Sequence, residues 1–286
     1  MKQSHPNLGL HFSANQLFYA VNEPGKPGRL ARIGSVDFNF NVTSAVIQGD
    51  DRHFHGVQTV VRQLKKQYDI RLVRMISAPY HECWTSFPKL VYDKSDEREA
   101  HLGILMKGLN RSQMLPTWYS LSNADYKFLV IRNQAIMDGF DKLASVIPTS
   151  EFVSDFELGQ RWIQHSGTSG SFLTISCYND LVCVASFLLG KLRGATYIKF
   201  ESLDDLPYLW LQGAEHLKWM KGLHEQVYFY GLQAYEVMEI LRPYLDDASE
   251  IIKMDNLHKM AVEADEDTYG FNLERAWPAI LLALEL

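Results

Sequence analysis

One pattern, written twice, decides most of what this chain can fold into. Residues 8–40 run LGLHFSANQLFYAV, a turn at EPGKPG, then RLARIGSVDFNF; residues 170–200 run GSFLTISCYNDLVCVASFLLGKLRGATYIKF. Each stretch is three β-rich runs separated by short breaks, which predicts a meander of antiparallel strands. Each is followed by an amphipathic helix and another apolar strand. The first helix is predicted over 56–68, where Val57, Val60, Val61, Leu64 and Tyr68 recur at helical spacing. The second is predicted over 204–223, ahead of VYFYG. A meander–helix–strand unit repeated half a chain apart predicts an α/β protein of two similar domains with mixed sheets, facing each other across a cleft. Paired domains of this kind commonly hold a nucleotide, so the residues at the turns carry the functional question.

The 286 residues leave room for two domains with ample core. A net charge of −6 argues against a nucleic-acid partner, because phosphate contacts need a basic face. The densest basic cluster, Arg62, Lys65 and Lys66 with Arg71 and Arg74, is small. No apolar run is long enough to span a bilayer, and MKQSHPNLG lacks the apolar centre of a secretion signal. Cys83, Cys177 and Cys183 are odd in number and lack metal-binding spacing, which fits reduced thiols. The expectation is a cytoplasmic protein with no direct membrane insertion. The terminal AWPAILLALEL is expected to be a core helix with Pro278 in its first turn.

Between the repeats, WTSFP, DKSDEREAHLGILMKGL, TWYSLS and KFLVIRN are predicted as strand, helix, strand and strand. Asp93 and Ser95 are candidate caps for that helix. This stretch, about 84–133, is expected to be a small subdomain inserted into a first domain of residues 1–150, with a second domain over 151–286. Ser154 and Glu157 have the spacing of a capping box, and SGTSG at 166–170 is composed like a hinge or a surface loop.

This organisation resembles the actin-like ATPase (ribonuclease H-like) superfamily, and within it the actin-like protein of type IV pilus assembly (PilM-like). The features that carry the likeness are the double meander–helix–strand plan, the mid-domain insertion and VYFYGL. FESLDDLPYLWLQGAEHLK, followed by VYFYG, is also similar to an uncharacterised bacterial family of the same fold. The resemblance implies ATP with Mg²⁺ as a possible ligand, held by three motifs. In the superfamily the first turn carries Asp and Gly followed by Ser or Thr; here His11 and Phe12 stand in those places, leaving Ser13 and Asn15 as donors. Histidine cannot replace a hard oxygen ligand for Mg²⁺. In the second turn Thr174 and Ser176 replace the Asp and first Gly, with Asn179 at the tip, and Tyr178-Asn179-Asp180 reads equally as hairpin punctuation. The third motif, normally two glycines after a strand, keeps Gly231 but has Leu232 second.

Ser13, Asn15, Ser176, Asn179 and Gly231 are therefore the candidate residues of a nucleotide cleft, with no catalytic or metal-binding residue assigned. His53 with His55, and His81-Glu82-Cys83, lack further ligands at recognisable spacing. The acidic residues Glu263, Asp265, Glu266 and Asp267 are expected to form a solvated loop. Three eroded motifs favour a fold retained for binding over an active ATPase. The expectation is a non-catalytic protein that needs no cofactor and binds another protein. By the resemblance, that partner is the cytoplasmic tail of a membrane protein in a pilus or secretion assembly. The alternative is an ATP-binding enzyme or switch with an atypical phosphate site.

Overall fold

The computed structural model describes residues 5–48, 51–265, 268 and 270–285. The first meander is β1 (Asn7–Ser13), β2 (Gln16–Asn22) and β3 (Arg29–Asp37). Next come α1 (Val42–Gln48), α2 (Asp51–Tyr68) and β4 (Leu72–Ser77), which pairs parallel to β1. The inserted segment supplies β5 (Glu82–Pro88), α3 (Lys89–Tyr92), α4 (Ser95–Leu105), β6 (Met114–Ser120) and β7 (Tyr126–Asn133). Then α5 (Gln134–Ala144), β8 (Thr149–Phe152) and α6 (Glu157–Ser166) lead to the second meander, β9 (Ser171–Cys177), β10 (Leu181–Leu188) and β11 (Lys191–Lys199). The last third is α7 (Leu206–His216), β12 (Gln226–Gly231), α8 (Ala234–Leu241), β13 (Glu250–Lys253), β14 (Glu263–Ala264) and α9 (Leu273–Ala283).

The strands form three sheets, ordered β14-β3-β2-β1-β4-β8, β11-β10-β9-β12-β13 and β5-β7-β6. Apart from β14, the first two orders match strand for strand: an antiparallel meander, then two strands added in parallel beside its first strand. The duplicated sequence pattern is thus a duplicated topology. The inserted strands stay out of both main sheets and make a small antiparallel sheet of their own.

Strand alternation decides which residues meet which layer. On β1, Leu8, Leu10 and Phe12 are buried in a core built with α1, α2 and α5. The intervening Gly9 and His11 turn toward α9, whose residues Ala276–Ala283 are all buried. A Cβ on Gly9 would lie 2.0 Å from the Ala279 carbonyl oxygen, so the missing side chain lets helix and strand touch backbone to backbone. The opposite face of α9 joins a core shared with Phe172, Tyr228 and Tyr230 of the second sheet. One helix therefore fills the space between the two sheets.

Several expectations are corrected. The first helix begins at Asp51 rather than 56 and is preceded by α1; Gly49 and Asp50 lie outside the described residues. The second ends as an α-helix at His216, with a 3₁₀ turn at Lys218–Met220 after it. Pro278 sits in the interior of α9 instead of its first turn, removing the N–H that would bond the Glu274 carbonyl. Ser154 makes half of its capping box, accepting from nothing on α6 but donating its N–H to Glu157 at 2.8 Å, while its hydroxyl turns to Glu82. Asp93 and Ser95 make no side-chain cap on α4. Glu263 belongs to β14, which pairs with β3, and Asp265 accepts from Arg29; Glu266 and Asp267 lie outside the described residues. All three cysteines are free thiols, Cys83 exposed and the other two buried.

Candidate functional site

The two meander turns face each other across a cavity of about 400 Å³. Ser13 and Ala14 of the first turn form one wall and Tyr178, Asn179 and Asp180 of the second form the other, with Asn41, Thr43, Ser44, Tyr80 and His81 between them. The first turn is tight because Ala14 takes a left-handed backbone, φ 51°. The second closes through the Tyr178 N–H donating to the Leu181 carbonyl at 2.9 Å. Asn179 and Asp180 close it without a positive φ.

Of the five candidates, the cleft brings together Ser13 and Asn179. Asn15 is exposed at the turn and is not among the lining residues; its carbonyl accepts from Phe38 N–H. Ser176 is buried, is not among the lining residues, and stabilises the Asp155 carboxylate by hydrogen bonding. Gly231 ends β12 at φ 105°, where a Cβ would lie 2.2 Å from the Cys177 carbonyl oxygen. It is needed for close strand contact and stands outside the cleft.

The electrostatics of this cleft differ from those of a phosphate site. Among the described residues no Lys or Arg lines it. His11, in the place of the metal-organising carboxylate, is 1% exposed; burial pulls its pKa down to about 4, so it is neutral at physiological pH. Its Nδ1 lies 2.9 Å from the Arg275 carbonyl, which can only accept, so Nδ1 carries the proton. Its Nε2 has no partner among the described residues. Phe12 also borders the cleft, with its ring buried and packed edge-on against Phe140 at 5.3 Å. Across the mouth, the Tyr80 hydroxyl donates to the Asp180 carboxylate, clasping the two sides together. Behind it, Tyr178 donates to Asp155 at 2.7 Å; burial pushes the Asp155 carboxyl up to about 6, with the Tyr178 and Ser176 bonds working the other way. These residues do not fit a triphosphate with Mg²⁺: among the described residues no cation lines the cleft, and Asp180, the carboxylate on its wall, is already engaged by Tyr80. Among the described residues no group of three or more His, Cys, Asp or Glu could hold a metal ion.

A second cavity, about 450 Å³, opens away from the cleft. Its walls come from the end of β6, the exit of β8, helix α6 and the β10–β11 hairpin. Leu121, Val153, Phe156, Phe187 and Leu192 make an apolar floor, and Gln160, Arg161, Gln164 and Lys191 bring polar groups to it. Sequence reasoning missed this site. Four segments build it, and no local motif marks any of them.

Behind the cavity lies a buried ionic junction. The Glu82 carboxylate accepts from Arg132 Nε at 2.9 Å, Trp84 Nε1 at 2.5 Å and Ser154 Oγ at 2.7 Å. The Glu82 carbonyl accepts from the Tyr197 hydroxyl of β11 at 2.9 Å. Burial works against the Arg132 charge, but Glu82 and the Tyr119 hydroxyl hold its pKa above the ordinary value. The inserted sheet and the segment leading into α6 meet at this carboxylate, and the second sheet joins the same residue through its carbonyl.

No protein-family model matches the chain, and no curated protein sequence matches it. Solved structures do. The PilM–PilN type IV pilus biogenesis complex matches with a TM-score of 0.66 at 11% identity, covering 97% of each chain. A Bacteroides thetaiotaomicron protein of actin-like ATPase fold and unknown function matches with 0.55 at 13% identity, over 91% of this chain and 96% of that one. The cytoplasmic domain of EpsL, an inner-membrane component of the Vibrio cholerae type II secretion system, matches with 0.51 at 11% identity, over 90% and 92%. At such identities the likeness is one of architecture, and it agrees with the duplicated sheet order: the chain has the fold of the actin-like ATPase superfamily.

Proposed function

We propose that this is a non-catalytic, cytoplasmic actin-like protein that binds another protein, as a component of a membrane-associated pilus or secretion assembly. The observation that carries the reading is the character of the cleft. It is clasped by Tyr80 and Asp180, no Lys or Arg among the described residues lines it, and the side chain packed behind its Tyr178 wall is the neutral imidazole of His11. Binding then falls to surfaces outside the cleft, and a cavity of about 450 Å³ is there. Among the described residues no helix is long and apolar enough to cross a membrane, which suits a partner that is itself membrane-bound. The similar structures include a protein solved with PilN in pilus biogenesis and the EpsL cytoplasmic domain. They supply the class of assembly by analogy of fold.

The test is capture of membrane proteins from the native organism by the wild type and by two folded variants. Asn179→Trp fills the cleft; Leu121→Glu places a charge on the apolar floor of the flank cavity. The expected result is that the same membrane-protein tail is retained by wild type and Asn179→Trp and lost by Leu121→Glu. In parallel, calorimetric titration with ATP, with and without Mg²⁺, should give no binding heat, and no phosphate should be released. Phosphate release that disappears with Ser13→Ala would replace this reading with the nucleotide-dependent one.

A further inference from the structure

The flank cavity holds a charge arrangement that its own residues do not complete. Its two carboxylates are already engaged: Glu151 by Arg74 at 2.9 Å, and Glu157 by the Ser154 N–H at 2.8 Å with Arg132 at 3.7 Å. Its two cations are not. Among the described residues neither Arg161 nor Lys191 has a carboxylate within ion-pair distance, and Arg161 Nε reaches only the Leu281 carbonyl at 3.5 Å. Burial, with Arg74 nearby, draws the pKa of the half-buried Arg161 guanidinium down to about 10, a cost that Glu151 and Glu157, pulling the other way, do not offset. An incoming carboxylate would relieve that cost, and Arg is suited to hold it by two parallel hydrogen bonds.

The rest of the cavity suits polypeptide. Gln160 and Gln164 lie one helical turn apart on α6, on the face that lines the cavity, and offer amide donors and acceptors to an extended backbone. Beside them β8 ends its sheet, so its outer edge has no neighbouring strand among the described residues. The floor is apolar, and at the rim Leu189 is held at φ 49° with 75% of its surface exposed, a conformation that presents an apolar side chain outward. A cavity of about 450 Å³ has room for a few side chains.

We propose that this cavity receives an extended segment of a partner polypeptide carrying apolar side chains next to a carboxylate, with Arg161 and Lys191 reading the carboxylate. The proposal rests on the protein-binding reading above and adds the chemistry of the partner to it. The test uses a phage-displayed library of random twelve-residue peptides panned against the full chain, with recovered peptides remade and measured by fluorescence anisotropy. Selected peptides should pair Asp or Glu, or a free C-terminal carboxylate, with at least two apolar residues. Affinity should fall about tenfold for Arg161→Gln, and several-fold for Lys191→Gln, which lies on an exposed hairpin and should not perturb folding. Replacing the peptide's acid by its amide should cost as much in the wild type and nothing further in Arg161→Gln. Recovery of neutral apolar peptides that Leu121→Glu abolishes would overturn the carboxylate proposal and leave protein binding at this cavity standing. Recovery of no peptide, or of peptides indifferent to Leu121→Glu, would overturn both.

Discussion

Replacing Glu82 by Ala should be the most damaging single change in the inserted segment. The side chain is 5% exposed and its partner Arg132 is 11% exposed. Removing the carboxylate strands three donors at once: the Arg132 guanidinium, the Trp84 N–H and the Ser154 hydroxyl. Breaking a buried pair in this way costs about 3–5 kcal/mol, mostly from the charge left behind. Here Glu157, 3.7 Å from Arg132, supplies some compensation, which places the expected loss near the lower bound. Removing both charges with Glu82→Leu and Arg132→Met should cost far less than the single change, because no buried charge remains. Urea unfolding at pH 7 followed by tryptophan fluorescence gives the free energies. Hydrogen exchange should show β5 and β7 losing protection first in Glu82→Ala. A single-variant loss below about 1 kcal/mol, or a double variant worse than the single, would refute the reasoning.

Two further outcomes follow from the packing around β1. Gly9→Ala should destabilise by about 1–3 kcal/mol, since the new methyl meets backbone atoms of Ala279 and Ala283 that cannot rotate away, and calorimetry should show a fall in Tm of several degrees. His11 is held neutral when folded, with its pKa lowered to about 4, whereas the unfolded chain protonates near 6.5. Its contribution is therefore lost as pH falls from 6.5 toward 4; relative to His11→Gln, the wild type should lose roughly 3 kcal/mol over that window in urea titrations.

The sequence was most informative where neighbouring residues set each other's roles. The strands of both meanders and of the insertion are legible because apolar alternation and turn residues are local signals. The short elements are not. β8 and β14 hold four and two residues, and only the strands they pair with make them strands. Pro278 misplaced the start of α9 because a first-turn proline is the usual case, and tertiary burial overrode it here. Among the cleft candidates, Ser13 and Asn179 follow from the turn positions. Ser176 sits on a strand, with Asp155 rather than the cleft as its neighbour, so the turn motif pointed to the wrong space. The Tyr80–Asp180 clasp and the flank cavity join residues far apart in sequence, and no pattern along the chain encodes them.

The burial of α9 between the two sheets bears on how the molecule is made. β1 and α9 are near opposite ends of the sequence, yet Gly9 and Ala279 touch backbone to backbone. The inner faces of both sheets are therefore uncovered until the residues of α9 have been synthesised, exposing side chains such as Tyr230, against which Trp277 of α9 later packs. Contacts of such long sequence separation slow folding, and the open sheets before them are prone to aggregation. A nascent chain of this protein is thus a natural client for a chaperone until α9 has emerged, and a nonsense mutation ahead of Leu273 would release two half-covered sheets instead of one shortened protein.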